Sequence, residues 1–434
     1  MGQLRSIVFG TISIAALIVA AVLVYETLQL AGKRPDWPAV ILPQGETEPP
    51  APRPTVAATA GAGTQAASGN RAIPLVTFPT ATPIAVVATA ATPDPASIRY
   101  HPKSGRHIAA WLPPTFSGGA RASFEVNKDI LDEISPFWYS TNANGQLYGN
   151  RNNELVVLAH ENNILVIPSI HNIANYDIVV NILTDPQRRS RHIQYIVDEV
   201  LARNYDGIDI DYESLDSSVR PSFSAFIIEL SEALHAHEKL LTIAVHAKDH
   251  DYGGLGGFQD WSVIGQYTDR VRIMTYDYHW RGGGPGPVAP LYWVQSVAEY
   301  AVSVIDPSKV FIGVPFYGYD WPPQGSARGL PWGDIEDLIE EQELTVNQMQ
   351  RNQEGRVEES WFRYQSPQGT REVWFMTDSG LETKLDLVQS MDLAGIAIWQ
   401  IGYEKPEYWN VIRRKLVQDP VLIQRAIHPL LPEH

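Results

Sequence analysis

The sequence contains no cysteine. Disulfide scaffolds, thiolate metal sites and cysteine nucleophiles are therefore excluded. Secretion is not, because a large barrel or sandwich needs no covalent staples. Positive charge is also scarce: 33 basic residues face 49 acidic ones, a formal net charge of -16. That balance repels a phosphate backbone and argues against a general nucleic-acid binder. What the chain does have is apolar and aromatic side chains. With 44% hydrophobic residues and 12 Trp, 19 Tyr and 12 Phe among 434 residues, it can bury a sizeable core and is not disordered as a whole.

These averages conceal three segments. From Ile7 to Tyr25 runs an uncharged apolar stretch of about 19 residues, enough to span a bilayer as a helix. A transmembrane signal anchor over residues 1–34 is the expectation, because the run is long for a signal-peptide core and no small-x-small site directly follows it. A cleaved signal peptide, which would give a secreted protein, is the alternative. With Arg5 before the run and Lys33 and Arg34 after it, charge orients it weakly, and the default is a short tail inside and the remainder outside. Residues 35–98 are rich in Pro, Ala and Thr. Fragments such as Phe78-Pro79-Thr80-Ala81-Thr82-Pro83 cannot form helix or central strand and read as an extended, disordered tether.

From Arg99 onward the chain is globular. Apolar β-rich runs recur along it: His107–Trp111, Ile134–Trp138, Ile164–Pro168, Gly207–Asp211, Leu241–Val245, Val271–Thr275, Val310–Val314 and Gly395–Trp399. Eight such runs separated by helical stretches predict a (β/α)8 TIM barrel over residues 99–434. Asp185 followed by Pro186 marks a helix start continuing to Ala202, and Pro221 to His237 forms a second helical stretch. Little helical signal lies between the first two runs. Between the seventh and eighth, an acidic helix (Asp334–Gln342) and two strand-like pieces (Ser360–Tyr364 and Glu372–Phe375) predict a small α+β insertion.

The fourth run carries the chemistry. Asp206, Asp209, Asp211 and Glu213 fall within eight residues of an otherwise apolar strand. Side chains alternate in a strand, so Asp209, Asp211 and Glu213 share one face, and Ile208, Ile210 and Tyr212 share the other. In a parallel barrel the apolar set packs against helices and the acids climb the interior toward the C-terminal mouth, where barrel enzymes place their sites. Stacked carboxylates in a barrel destabilise it, since like charges at close range cannot all ionise. The expected result is a shared proton and divergent pKa values, with Glu213, at the top, best placed to donate a proton. Asp206 lies off this face and reads as structural.

This signature resembles that of family 18 glycoside hydrolases, the chitinase-like TIM barrels. Asp206-x-x-Asp209-x-Asp211-x-Glu213 matches their acidic motif, and Met274-Thr275-Tyr276-Asp277, Gly313–Gly318 and Gly395–Trp399 are similar to their sixth, seventh and eighth strands. Ser135–Tyr139, Pro285–Pro290 and Val373–Phe375 resemble the bacterial spore-cortex and germination branch. The resemblance implies a retaining, substrate-assisted mechanism without metal or cofactor. It implies Glu213 as acid and base, Asp211 orienting the substrate acetamide, Asp209 sharing a proton with Asp211, and Tyr276 on the acetamide carbonyl. Asp277, Trp399, Met274, Asn172 and Tyr317 would bind sugar, with Trp399 beneath the ring; Trp111, an aromatic at a strand end, is a stacking candidate that core packing explains equally well. Trp280, following the sixth-strand motif into a loop, is a further stacking candidate. There are departures. Pro168-Ser169-Ile170-His171-Asn172 stands where chitinases carry Ser-x-Gly-Gly, and Tyr278 stands where the branch often has Glu.

The glycine-rich stretches 253–257 and 282–286 lack the phosphate-loop ending and read as loops over the mouth. His246, His250 and His279 show no metal-ligand spacing. The resulting expectation is a membrane-tethered, extracytoplasmic glycosidase cutting β-1,4 bonds of N-acetylglucosamine polymers. Peptidoglycan is the first substrate, with chitin or an N-glycan core as runner-up. A chitinase-like lectin is the competing class; such proteins lose the catalytic Glu, which is here Glu213. One feature opposes peptidoglycan. Residues 1–98 carry five basic and five acidic side chains, so the whole -16 belongs to the globular part, which would be repelled by anionic polymers at low salt.

Overall fold

The computed structural model describes residues 102–418 except 104, 351, 353 and 354. The Ile7–Tyr25 run and the tether lie outside these residues. Among the described residues no helix is long and apolar enough to cross a membrane.

Eight parallel strands form the barrel: β1 (His107–Leu112), β2 (Glu133–Pro136, resuming as Tyr139–Thr141), β3 (Leu165–Val166, resuming as Ser169–His171), β4 (Gly207–Asp211), β5 (Leu240–His246), β6 (Arg270–Met274), β7 (Val310–Pro315) and β8 (Gly395–Trp399). Each pairs with the next, and β8 pairs back onto β1 with His107 opposite Gly395, so the ring closes. The breaks in β2 and β3 fall at Pro136 and Pro168, which bring no N–H to a ladder. Helices alternate with the strands. The one over Pro186–Ala202 starts as its sequence dictates, with the Asp185 carboxylate accepting from the N–H groups of Gln187 and Arg188.

Two parts depart from expectation. A helix does cross from β1 to β2, over Gly118–Asn127. Only Ala120, Phe124 and Asn127 are buried on it, too thin an apolar stripe to show as periodicity. The insertion between β7 and β8 is also larger than a helix and hairpin. The Glu359–Ser366 and Gly369–Met376 hairpin extends into a five-stranded antiparallel sheet, because Gly318–Trp321, directly after β7, pairs with Gly369–Met376. The Trp332–Glu341 helix packs Ile335 into that sheet's own small core.

The pleat sorts the barrel as alternation demands. Ile208, Ile210 and Tyr212 face outward into the main hydrophobic core. Inside sit Ala109, Trp111, Ala244, Phe311 and Ala397, a small apolar cluster that leaves room for charge.

Candidate active site

That charge is organised from the bottom of the barrel upward. Arg270 and Arg272, at alternate positions of β6, meet the wholly buried Glu133 of β2 at 3.0 and 2.7 Å. Burial pushes the Glu133 carboxyl up, but the two guanidiniums outweigh it and hold it below its usual range. Arg272 also reaches Asp209 Oδ1 at 3.2 Å. Asp209 is further held by Trp111 Nε1 (3.0 Å), Ser169 Oγ (2.7 Å) and Thr242 Oγ1 (2.6 Å), all donating to it.

Asp211, one step higher, is the opposite case. It is 5% exposed, and among the described residues its Oδ1 has no hydrogen-bond partner. Burial, then the negative charges of Glu213 and Asp209, push its pKa well above the carboxylate range, opposed only by Arg272. The oxygens of Asp209 are taken up by the Trp111, Ser169, Thr242 and Arg272 donors.

Glu213 lies just beyond β4, its side chain 37% exposed to the mouth. Burial, then Asp277, raise it to about 7. His246, at the end of β5, sits 3.8 Å from Glu213 and accepts the Ser214 N–H on Nε2. Burial lowers His246 to about 4, so it stays neutral and leaves the Glu213 proton in place.

These groups open onto a cavity of about 700 Å³ whose wall includes Asp211, Glu213, Met274, Tyr276, Asp277, Tyr317 and Trp399. Asp277 takes a left-handed backbone (φ 62°) and its carboxylate accepts from the hydroxyls of Tyr317 and Tyr319. Burial raises its pKa despite those two donors. Tyr276 keeps its phenolic proton, since burial and the surrounding carboxylates push its pKa well up. Trp399 stands edge-on to Phe137 and Trp111, at centroid distances of 5.4 and 5.9 Å.

Three further residues expected to contact sugar have these surroundings. The Asn172 side chain is buried and clasps the Glu213 backbone in both directions, each bond 2.9 Å. Trp111 borders the cavity but is 2% exposed with its N–H committed to Asp209, which makes it floor. Trp280 is 56% exposed, off the cavity wall and folded against its own glycine loop. Asp206 accepts the Val166 N–H and meets His160, a structural role. The sequence reading weighed His246 only as a metal ligand and did not single out Arg272, Glu133, Tyr319, Arg281 or Arg328. For the arginine of β6 a signal existed: Arg270-Val271-Arg272-Ile273 alternates charge with apolar residues, as does the acidic strand.

A closed parallel barrel whose interior acids rise to a protonatable carboxyl at the mouth is an enzyme built for proton transfer. The chain belongs to glycosyl hydrolases family 18, which it matches over residues 127–404, and it is a glycoside hydrolase of the spore-cortex branch. It is 27% identical over 327 residues to the uncharacterized glycosylase YvbX of Bacillus subtilis, spanning 71% of this chain and 93% of that protein. It is 26% identical over 293 residues to the cortical fragment-lytic enzyme of B. subtilis, covering 65% of this chain and 67% of that one. The crystal structure of the Bacillus megaterium spore cortex-lytic enzyme SleL superposes with a TM-score of 0.65 at 25% identity, over 72% of this chain and 74% of that one.

Proposed function

We propose that the protein is a membrane-tethered, extracytoplasmic glycosidase that cleaves β-1,4 linkages in N-acetylglucosamine polymers with retention of anomeric configuration. Peptidoglycan is the first substrate, in keeping with the cortex-lytic relatives. The observation that carries the mechanism is the placement of two carboxyls in one cavity wall: Glu213 at the mouth, with its pKa raised to about 7, and Asp211 buried beneath it, its pKa also raised by burial and by the charges of Glu213 and Asp209.

Glu213 gives its proton to the glycosidic oxygen. The substrate's own acetamide carbonyl attacks the anomeric carbon and forms an oxazolinium ion, so no enzyme nucleophile is required. Asp211 hydrogen-bonds the acetamide nitrogen and stabilises the positive charge that develops there. Asp209, fixed by its four donors, lies directly below and tunes Asp211 by sharing its proton. The Tyr276 hydroxyl donates to the acetamide oxygen. Glu213, now ionised, takes a proton from water as the water opens the ring. The apolar run Ile7–Tyr25 and the Pro-rich segment after it support the tethered, outward placement.

The test is Glu213→Gln in the full chain, with products analysed on peptidoglycan and chitooligosaccharides. Wild type should release reducing ends with the β-anomer formed first, and the variant should release none while keeping its fold. Undiminished release by the variant would sink the mechanism, and initial α-anomer would sink retention.

A further inference from the structure

The acidic floor of the cavity lies beneath a cationic rim. Arg281 and Arg328 both line the cavity, in a protein of net charge -16. They come from different segments. Arg281 follows the Tyr276-Asp277 stretch, and Arg328 opens the edge strand Arg328–Leu330 of the insertion. The Ala327 N–H donates to the Arg281 carbonyl at 2.7 Å, which makes the two arginines neighbours in space. Trp321 Nε1 donates to the Gly283 carbonyl at 3.1 Å and ties the same loop to the insertion a second time.

Neither guanidinium is used up by the fold. Arg328 spends Nε on Asp320 at 3.1 Å, while Asp320 is also held by Arg371 and Tyr364. The Arg328 side chain remains 57% exposed, with its terminal N–H groups in hand. Arg281 forms no side-chain ion pair among the described residues, and its charge acts on Asp277 and Tyr319 in the same wall. A guanidinium fork matches a carboxylate in two parallel hydrogen bonds. A neutral glycan offers only hydroxyls and amides, for which two adjacent cations are not needed. An anionic polymer approaching this acidic domain needs local cations where it lands.

We propose that Arg281 and Arg328 form a carboxylate-binding subsite, so that the substrate is an N-acetylated glycan bearing carboxylates rather than a neutral one. This rests on the hydrolase reading and narrows its substrate. The carboxylate could belong to an acidic sugar or to a peptide stem on it.

The test compares kcat/KM of the full chain with R281Q, R328Q and the double variant. The substrates are peptidoglycan strands stripped of peptide, strands with their stems, and chitooligosaccharides. Wild type should prefer carboxylated strands, with a KM that rises with salt. The ratio of kcat/KM on carboxylated over neutral substrate should fall about tenfold in each single variant. A fall on both kinds of strand assigns the carboxylate to the sugar, and a fall on stem-bearing strands alone assigns it to the peptide. A ratio unchanged in the double variant, or wild-type preference for the neutral oligomer, overturns the proposal. If wild type turns over none of the three, the hydrolase reading fails by itself. Calorimetry of E213Q against E213Q/R281Q/R328Q on the same ligands then still reads the subsite: about tenfold weaker binding of carboxylated strands supports it, and equal binding overturns it.

Discussion

The side chain of Asn172 and the backbone of Glu213 are joined by two hydrogen bonds, each 2.9 Å: the Asn172 amide donates to the Glu213 carbonyl, and the Glu213 N–H donates to Asn172 Oδ1. The residue before Ser214, which itself has a left-handed backbone (φ 57°), is thus held where β4 ends. Asn172→Gly, the residue usual in chitinases at this place, removes both bonds. We expect kcat to fall about tenfold to a hundredfold, the order of effect of an ångström-scale misplacement, with a smaller change in KM. Steady-state kinetics beside a melting curve checks it; a rise in KM alone would show that Asn172 contacts sugar instead.

The pH profile follows from Glu213. Its pKa stands near 7, and proton donation requires the protonated form. The rate should therefore decline as pH rises through about 7, roughly two to three pH units above the limit an ordinary glutamate would set. A kcat/KM profile on a soluble oligosaccharide measures this directly. A basic limb near pH 4 would show that burial does not act on Glu213 as described.

The same shift has a cost in stability. A carboxyl whose folded pKa is raised stabilises the fold below its unfolded pKa, and that contribution is lost as pH rises through the folded value. For Glu213 the window runs from about 4.3, the unperturbed value, to about 7. Glu213→Gln should therefore melt higher than wild type at pH 8, with the gap closing toward pH 4.5. Its activity would be lost and its stability gained, the exchange expected where a site is built against folding preference. Differential scanning calorimetry at both pH values decides it, and a lower melting temperature at pH 8 would contradict the burial argument.

The strand acids were legible in the sequence because alternation is a local rule: parity alone put Asp209, Asp211 and Glu213 inside and Ile208 and Ile210 outside, and both sets are there. The barrel itself was legible from the eight β-rich runs separated by helical stretches. What alternation cannot give is pairing between distant strands. That Asp209 meets Arg272 of β6, Ser169 of β3 and Trp111 of β1 depends on the closure of the ring. Asn172 was noticed as a departure, but its grip on Glu213 requires the register of β3 on β4, with His171 opposite Asp211. Trp280 lies off the cavity wall, where Arg281 beside it lines it, because a loop's path is not written in its residue types.

Arg272 gives a prediction about that closure. It is 1% exposed and joins Glu133 to Asp209 across the barrel interior. Arg272→Met removes the shared cation and leaves two buried carboxyls facing each other's field, with Arg270 as the remaining partner of Glu133. Breaking a buried pair in this way costs about 3–5 kcal/mol. Denaturant unfolding of wild type and variant measures it. A loss below about 1 kcal/mol would mean that water or proton uptake compensates, which a shift of the difference with pH would reveal.

Gly313 tests whether Tyr276 must stand where it does. A Cβ built on Gly313 would lie 2.6 Å from the Ile273 carbonyl oxygen and 2.8 Å from Tyr276 Cε1, so the tyrosine ring packs on the bare backbone of β7. Gly313→Ala must displace β6 or turn Tyr276 out of the cavity wall. Overpacking of this kind costs about 1–3 kcal/mol. If Tyr276 donates to the acetamide oxygen, activity should fall by more than stability does, with a drop in kcat at temperatures where the variant is fully folded. Gly333→Ala is the control, since a Cβ there meets nothing within 4 Å and the position is helical. It should melt at or slightly above the wild-type temperature. Full activity in the folded Gly313→Ala protein would show that the position of the Tyr276 ring does not matter to the reaction.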